Sequence, residues 1–175
     1  MEILNKIIKQ IPEIEDQQKL FEETLKGNKL LSKEHIKMIA WASSMVTRDE
    51  KIVSLIKSKV GELDEEEKRI LHIASSRMSV TNPYFMGRSV SAIDTGGTIE
   101  DIGLRPFPSL GIVDELAYHY ICMVFSLING GYMCYGSHKA SLLRLGQHPG
   151  AIDQALKLAV VISAIRQNIF NSAFL

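Results

Sequence analysis

The sequence predicts an all-α protein, a bundle of about eight or nine helices, on three observations. Apolar residues recur three and four apart along most of the chain, the spacing of one helical face. Helix-capping patterns punctuate those stretches, and period-two alternation typical of strands is scarce. The 175 residues are 46% apolar, with 20 basic and 20 acidic side chains. That length suits one domain over 1–175, with 1–30 as an N-terminal helical appendage packing on the core. A chain of this size buries roughly 70% of its unfolded surface, enough for a core without covalent staples.

The elements follow in order. Ile3, Leu4, Ile7, Ile8 and Ile11 trace a first helix over 2–10 that Pro12 stops. A charged helix spans 13–26 and ends at Gly27, where a left-handed C′ residue is needed. Ser32 caps a third helix to about Val46, and Trp41 with Ile39 and Met45 reads as core. Thr47 with Glu50, and Asp64 with Glu67, form capping boxes, so helices should start near 48 and 65. Glu65 to Glu67 then lie in a first turn, where the macrodipole favours negative charge. Asn82-Pro83 should end that helix at about Val80, leaving a short helix over 83–93. A long connection with four glycines and two prolines runs from Asp94 to Gly111, long enough to be functional or packed as its own loop. Helices over 113–129, 132–145 and 150–171 complete the chain, with Gly146 between the last two.

Several function classes are excluded or disfavoured. Charge balance gives no electrostatic reason for a nucleic-acid partner. Two cysteines, Cys122 and Cys134, are too few for a disulfide scaffold and suit a reducing compartment. The start, Met1 to Lys6, lacks the basic and apolar regions of a secretory signal, so a cytoplasmic location is expected. Residues 116–138 carry no Asp, Glu, Lys or Arg, but His119, Asn129 and Gly130-Gly131 interrupt them; a buried hairpin is expected rather than a membrane span. Residues 101–175 hold only 9 charged residues against 41 apolar ones, which predicts a covered surface and a homo-oligomer.

No phosphate-binding glycine loop, nucleophile elbow or His-Glu-x-x-His is present. The chemistry-bearing feature is the hairpin: His119-x-x-Cys122 on one helix and Cys134-x-x-x-His138 on the next, each pair on one helical face. An imidazolium one turn from a thiol, near a helix N-terminus, stabilises a thiolate. A thiolate can attack a peroxide oxygen and become a sulfenic acid that a second thiol must reduce. Cysteine in an apolar helix also serves simply as a small packing residue. His35, His72 and His148 read as structural.

The segment Ser126-Leu-Ile-Asn-Gly-Gly-Tyr-Met-Cys134-Tyr-Gly-Ser-His138 resembles the alkylhydroperoxidase D (AhpD) family, also grouped with carboxymuconolactone decarboxylase-like proteins. Thr81 to Arg88, Leu104-Arg105-Pro106 and Ala151 to Lys157 extend the resemblance over most of the chain. It implies an all-α AhpD-like bundle, commonly trimeric or a multiple of that. It also implies thiol-dependent reduction of a peroxide or disulfide substrate, with a peroxiredoxin or a lipoyl-bearing adaptor protein as partner, and no cofactor. The family places a Glu on the preceding helix, then Cys-x-x-Cys, then a His four residues on. The second motif cysteine falls on Cys134 and the trailing histidine on His138. The first cysteine falls on Gly131, the upstream glutamate on His119, and an intervening histidine on Met133. Taking Cys134-Tyr135-Gly136-Ser137 as a Cys-x-x-Ser motif instead fits the histidine spacing worse.

Three readings follow from these positions. Cys134 is a catalytic thiol assisted by His138 and by His119 as base or proton relay, resolved by an external thiol or by Cys122. A Cys122–Cys134 bridge requires Cα atoms within about 7 Å. Alternatively the fold persists without redox turnover and serves binding or assembly. In the third, His119, Cys122, Cys134 and His138 form a Cys2His2 metal set. Tyr84, Phe85 and Arg88 are further pocket candidates by the resemblance, and Tyr132 and Tyr135 flank the thiol.

Overall fold

A computed structural model describes residues 11–27 and 29–174. Among them are seven α-helices and two short 3-10 turns, and no strand. The helices are α1 (Glu15–Lys26), α2 (Lys33–Val46), α3 (Glu50–Val60), α4 (Glu65–Val90), α5 (Glu115–Ile128), α6 (Tyr132–Arg144) and α7 (Pro149–Asn171). The all-α expectation holds, and the described residues form seven helices against the eight or nine expected of the whole chain. The helix expected over 2–10 lies outside the described residues. The helices expected to either side of Asn82-Pro83 are one, because α4 runs through Pro83 to Val90.

The chain divides into two compact units, 1–62 with 148–175, and 63–147. In the first unit α7 packs against α1 and α2, and α2 against α3. Ile39, Ile52, Ile56, Leu158 and Ile162 are buried there, at about 1.5–3 kcal/mol of transfer energy for each side chain. Gln154 donates to the Thr24 carbonyl at 2.7 Å and Asn168 to the Gln17 side chain at 2.6 Å, fastening α7 to α1. Gly27 takes φ 75°, and a Cβ there would lie 2.3 Å from Ile36 Cδ1, so both backbone and space demand glycine. Ser32 caps α2 as expected, accepting from His35 N–H at 3.1 Å.

Thr47 does not cap α3. It ends α2, its N–H bonded to Ser44 and Met45 carbonyls, and Asp49 caps α3 instead. The reason is the intervening residue: Arg48 turns the chain through φ 56°, which no continuous cap spans. Ile39 is core as expected, but Met45 is 45% exposed, and Trp41 is half-buried with its indole N–H on the Gly61 carbonyl at 3.0 Å.

In the second unit α5 packs against both α4 and α6. Every residue from Ala117 to Ser126 is buried, the signature of a helix covered on all sides. Its uncharged sequence therefore makes a core helix; no helix among the described residues is long and apolar enough to cross a membrane. The Asp64–Glu67 capping box opens α4, with both bonds at 2.8 Å. The expected break at Pro83 is overridden by tertiary bonds on the same turn. Asn82 donates to the Phe125 carbonyl at 3.4 Å and accepts from the Ser126 hydroxyl at 2.9 Å, holding the helix to α5.

The long connection after α4 has one short helical turn, Phe107–Leu110. Three arginines of α4 hold it by its carbonyls: Arg69 donates to Leu110 and Gly111, Arg77 to Arg105, and Arg88 to Ile93, Thr95 and Gly96. Tyr84 adds its hydroxyl as acceptor for Gly97 N–H at 3.1 Å.

Asp64→Ala removes the acceptor for the Glu67 N–H and is expected to lower the unfolding free energy by about 1 kcal/mol. A urea titration reads this directly, and an unchanged midpoint would show the cap to be dispensable.

Candidate functional site

A cavity of about 460 Å³ opens within the second unit, walled by α4, α5, α6 and the long connection. Cys134, His119 and His138 all line it, together with Arg77, Thr81, Phe85, Phe107, Tyr118 and Met133. Cys122 does not. It is fully buried on α5, with its thiol against the Tyr118 hydroxyl. Positions 118 and 122 are one turn apart on α5, which brings the phenol that reaches the cavity wall against the thiol. Cys122 and Cys134 are both free thiols. Among the described residues no group of three His, Cys, Asp or Glu side chains is arranged to hold a metal ion, so the Cys2His2 set is not assembled.

Gly131 is the N-cap of α6, which makes Cys134 the third residue of that helix. Its sulfur therefore belongs to the first turn of that helix, at the positive end of the dipole. Its own N–H and the Thr81 hydroxyl favour the thiolate, but burial outweighs them and pushes the thiol above its ordinary value.

The two histidines make a bonded pair. His119 Nδ1 and His138 Nδ1 are 2.9 Å apart, and His119 Nε2 is 3.4 Å from Glu115 Oε1. The protons can be assigned by elimination. A carboxylate only accepts, so His119 Nε2 carries its proton; neutral His119 then accepts at Nδ1 from His138 Nδ1–H. His138 Nε2 is left as an unprotonated acceptor. Phe107 stacks on His119 at 5.7 Å between ring centroids, and Tyr118 meets both imidazoles edge-on at 5.4 and 5.9 Å.

Burial sets the charge state of this pair. It pushes His138 down to about 3, aided by His119 and Arg77, and lowers His119 against the opposing pull of Glu115. Burial thus works against the thiolate–imidazolium pair expected from the sequence. The same desolvation that raises the thiol lowers the imidazole, so it favours the neutral form of each.

Glu115 carries no signal of its own in the sequence beyond its position four residues before His119, the spacing of a helical pair. Arg77, Thr81 and Tyr118 are likewise site residues that the sequence does not single out. Of the further candidates, Phe85 lines the cavity, whereas Tyr84 and Arg88 secure the connection. Tyr132 is 76% exposed and, like Tyr135, lies outside the cavity wall. His148 caps α7, His35 lies in the first turn of α2 and His72 is exposed on α4.

The histidine pair has a consequence for stability. An unfolded histidine binds a proton near pH 6.5, and folded His138 only near 3, so the unfolded chain binds more protons in between. Stability is expected to fall as pH drops from 6.5 toward 3. Urea midpoints measured at pH 7 and pH 5 should show this loss, and His138→Gln should make it shallower.

No family model matches the chain. Three relatives do. It is 28% identical over 163 residues to the alkyl hydroperoxide reductase AhpD of Mycobacteroides abscessus, across 90% of each chain. With the AhpD of Coxiella burnetii it shares 25% identity over 139 residues, 78% of each chain. With that of Caulobacter vibrioides it shares 31% over 121 residues, 65% of this chain and 62% of the relative. In sequence over most of its length, and in its all-helical build, this chain is similar to these AhpD proteins.

Proposed function

We propose that the chain is a thiol-dependent peroxide reductase in which Cys134 is the attacking thiol and His138 the base that takes its proton. The observation that carries this reading is the meeting of Cys134 with the Glu115–His119–His138 chain at one cavity. The relatives' name, alkyl hydroperoxide reductase, supports an organic peroxide as the substrate class. The apolar wall of Met78, Phe85, Ile99 and Phe107 suits the organic part of such a molecule.

The chemistry needs no preformed anion. As the sulfur attacks the terminal peroxide oxygen, its proton passes to His138 Nε2 and on to the departing alkoxide. The O–O bond breaks, an S–O bond forms, and a sulfenic acid and an alcohol result. Charge that develops on the imidazole is balanced through His119 by Glu115, which orients the pair. The sulfur works at a helix N-terminus, where negative charge is stabilised as it appears.

A second reading, an AhpD-like fold without peroxidase turnover, is supported by the upward shift of the Cys134 thiol and by glycine at 131, where the resemblance puts the first motif cysteine. Trapping of sulfenic acid separates the two. In the peroxidase reading, Cys134→Ser abolishes both peroxide consumption and the trapped adduct. His138→Gln lowers the peroxide rate about 100-fold, within the range of a lost general base. An adduct absent from the wild-type chain would decide for the second reading.

The pH profile is a further check. With the thiol raised above its ordinary value and His138 near 3, alkylation of Cys134 by iodoacetamide is expected to climb about tenfold per pH unit from about 7 to about 9, without an inflection near 6.5. A plateau above about pH 6 would instead reveal a resting thiolate–imidazolium pair.

A further inference from the structure

An oxidised Cys134 needs a second thiol, and two positions on the chain could supply one. The first is 131, three residues earlier at the start of α6. Its φ of −82° is open to any residue, so the backbone does not require glycine. Space does. A Cβ at 131 would lie 2.4 Å from both Cγ and Oδ1 of Asn82 and 2.8 Å from its Cβ. Asn82 cannot readily swing aside, because it is 2% exposed and its amide is bonded to Ser126 and Phe125 on α5. The second position is Cys122, which is 0% exposed, absent from the cavity wall and bonded to the Tyr118 hydroxyl, although Cys134 lies near enough to act on it electrostatically.

We infer that Cys134 acts as a single thiol whose oxidised form is discharged by a small-molecule thiol entering through the cavity, and that Asn82 is the residue that excludes an internal partner at 131. This rests on the reading of Cys134 as the thiol that peroxide oxidises. The co-substrate is small because the sulfur is recessed: Cys134 is 7% exposed, reached through a cavity of about 460 Å³, the size of a small-molecule site. In the discharge, the incoming thiol attacks the sulfenic sulfur. An S–S bond forms, the S–O bond breaks, and water leaves with the proton of the incoming thiol. A second molecule of the same thiol attacks the mixed disulfide, releases the symmetrical disulfide and returns Cys134 to its thiol. The two electrons taken up by the peroxide come from those two thiols.

The wild-type chain tests this with cumene hydroperoxide followed by reduced glutathione, read by intact mass and peptide mapping. With one equivalent of glutathione the expected product carries one glutathionyl group per chain on Cys134, with Cys122 still a free thiol, and excess glutathione removes that group as oxidised glutathione. A Cys122–Cys134 disulfide overturns the inference, as does a Cys134 sulfenic acid that persists in the presence of glutathione. Failure of dimedone to trap any sulfenic acid at Cys134 overturns the underlying reading, and this inference with it. A second arm tests Asn82. Gly131→Cys alone is expected to form no disulfide between position 131 and Cys134 under the same oxidant, while Gly131→Cys with Asn82→Gly, which removes the Cβ of residue 82 as well, forms it. A single variant that forms that bond with an unchanged melting temperature overturns the role of Asn82.

Discussion

The buried amide of Asn82 sets the spacing of the three helices that wall the cavity. It meets Ser126 and the Phe125 carbonyl on α5, and its side chain rests on Gly131 at the start of α6. Each contact constrains the others. The two bonds to α5 satisfy a polar group that would be costly to bury unpaired, and they keep α4 helical beyond a proline that would ordinarily end it. The close approach to Gly131 then fixes where α6 begins, and so where its third residue, Cys134, meets the cavity. A small residue at 131 and an anchored amide at 82 are two sides of one packing arrangement.

Electrostatics in the cavity follow from dryness more than from charge pairing. Burial lowers both imidazoles and raises the thiol, so it favours the neutral form of each group that moves the proton. Glu115 is the one carboxylate bonded to this set among the described residues, and it reaches the cavity only through His119. An arrangement of this kind suits transfer of a proton during bond making rather than storage of an anion beforehand.

Much of the architecture is legible in the sequence, because local signals and the fold agree there. Ser32, the Asp64–Glu67 box and Gly27 each mark the boundary they suggest, and α6 starts at Tyr132 where its pattern starts. Local rules fail where contacts distant in sequence decide. Pro83 reads as a helix end until Asn82 is seen bonded to residues more than forty positions away. Thr47 reads as a cap until Arg48 is seen turning the chain. The site is partly legible: Cys134, His119 and His138 stand out by type and spacing, and the cavity brings them to one place. Tyr118, Arg77 and Thr81 do not, since their part depends on which way each helix faces. Cys122 also stands out by type, and burial that the sequence does not reveal keeps it off the cavity wall.

The manner in which α4 holds the connection between α4 and α5 also bears on how such a cavity can change. Arg69, Arg77 and Arg88 grip main-chain oxygens, which every amino acid presents alike. Ile99, Glu100 and Phe107, the side chains that this segment lends to the cavity, take no part in that grip. The rim is therefore an interchangeable lining on a fixed bracket: substitutions along it can reshape which molecules enter while the anchorage, indifferent to side-chain identity, stays in place.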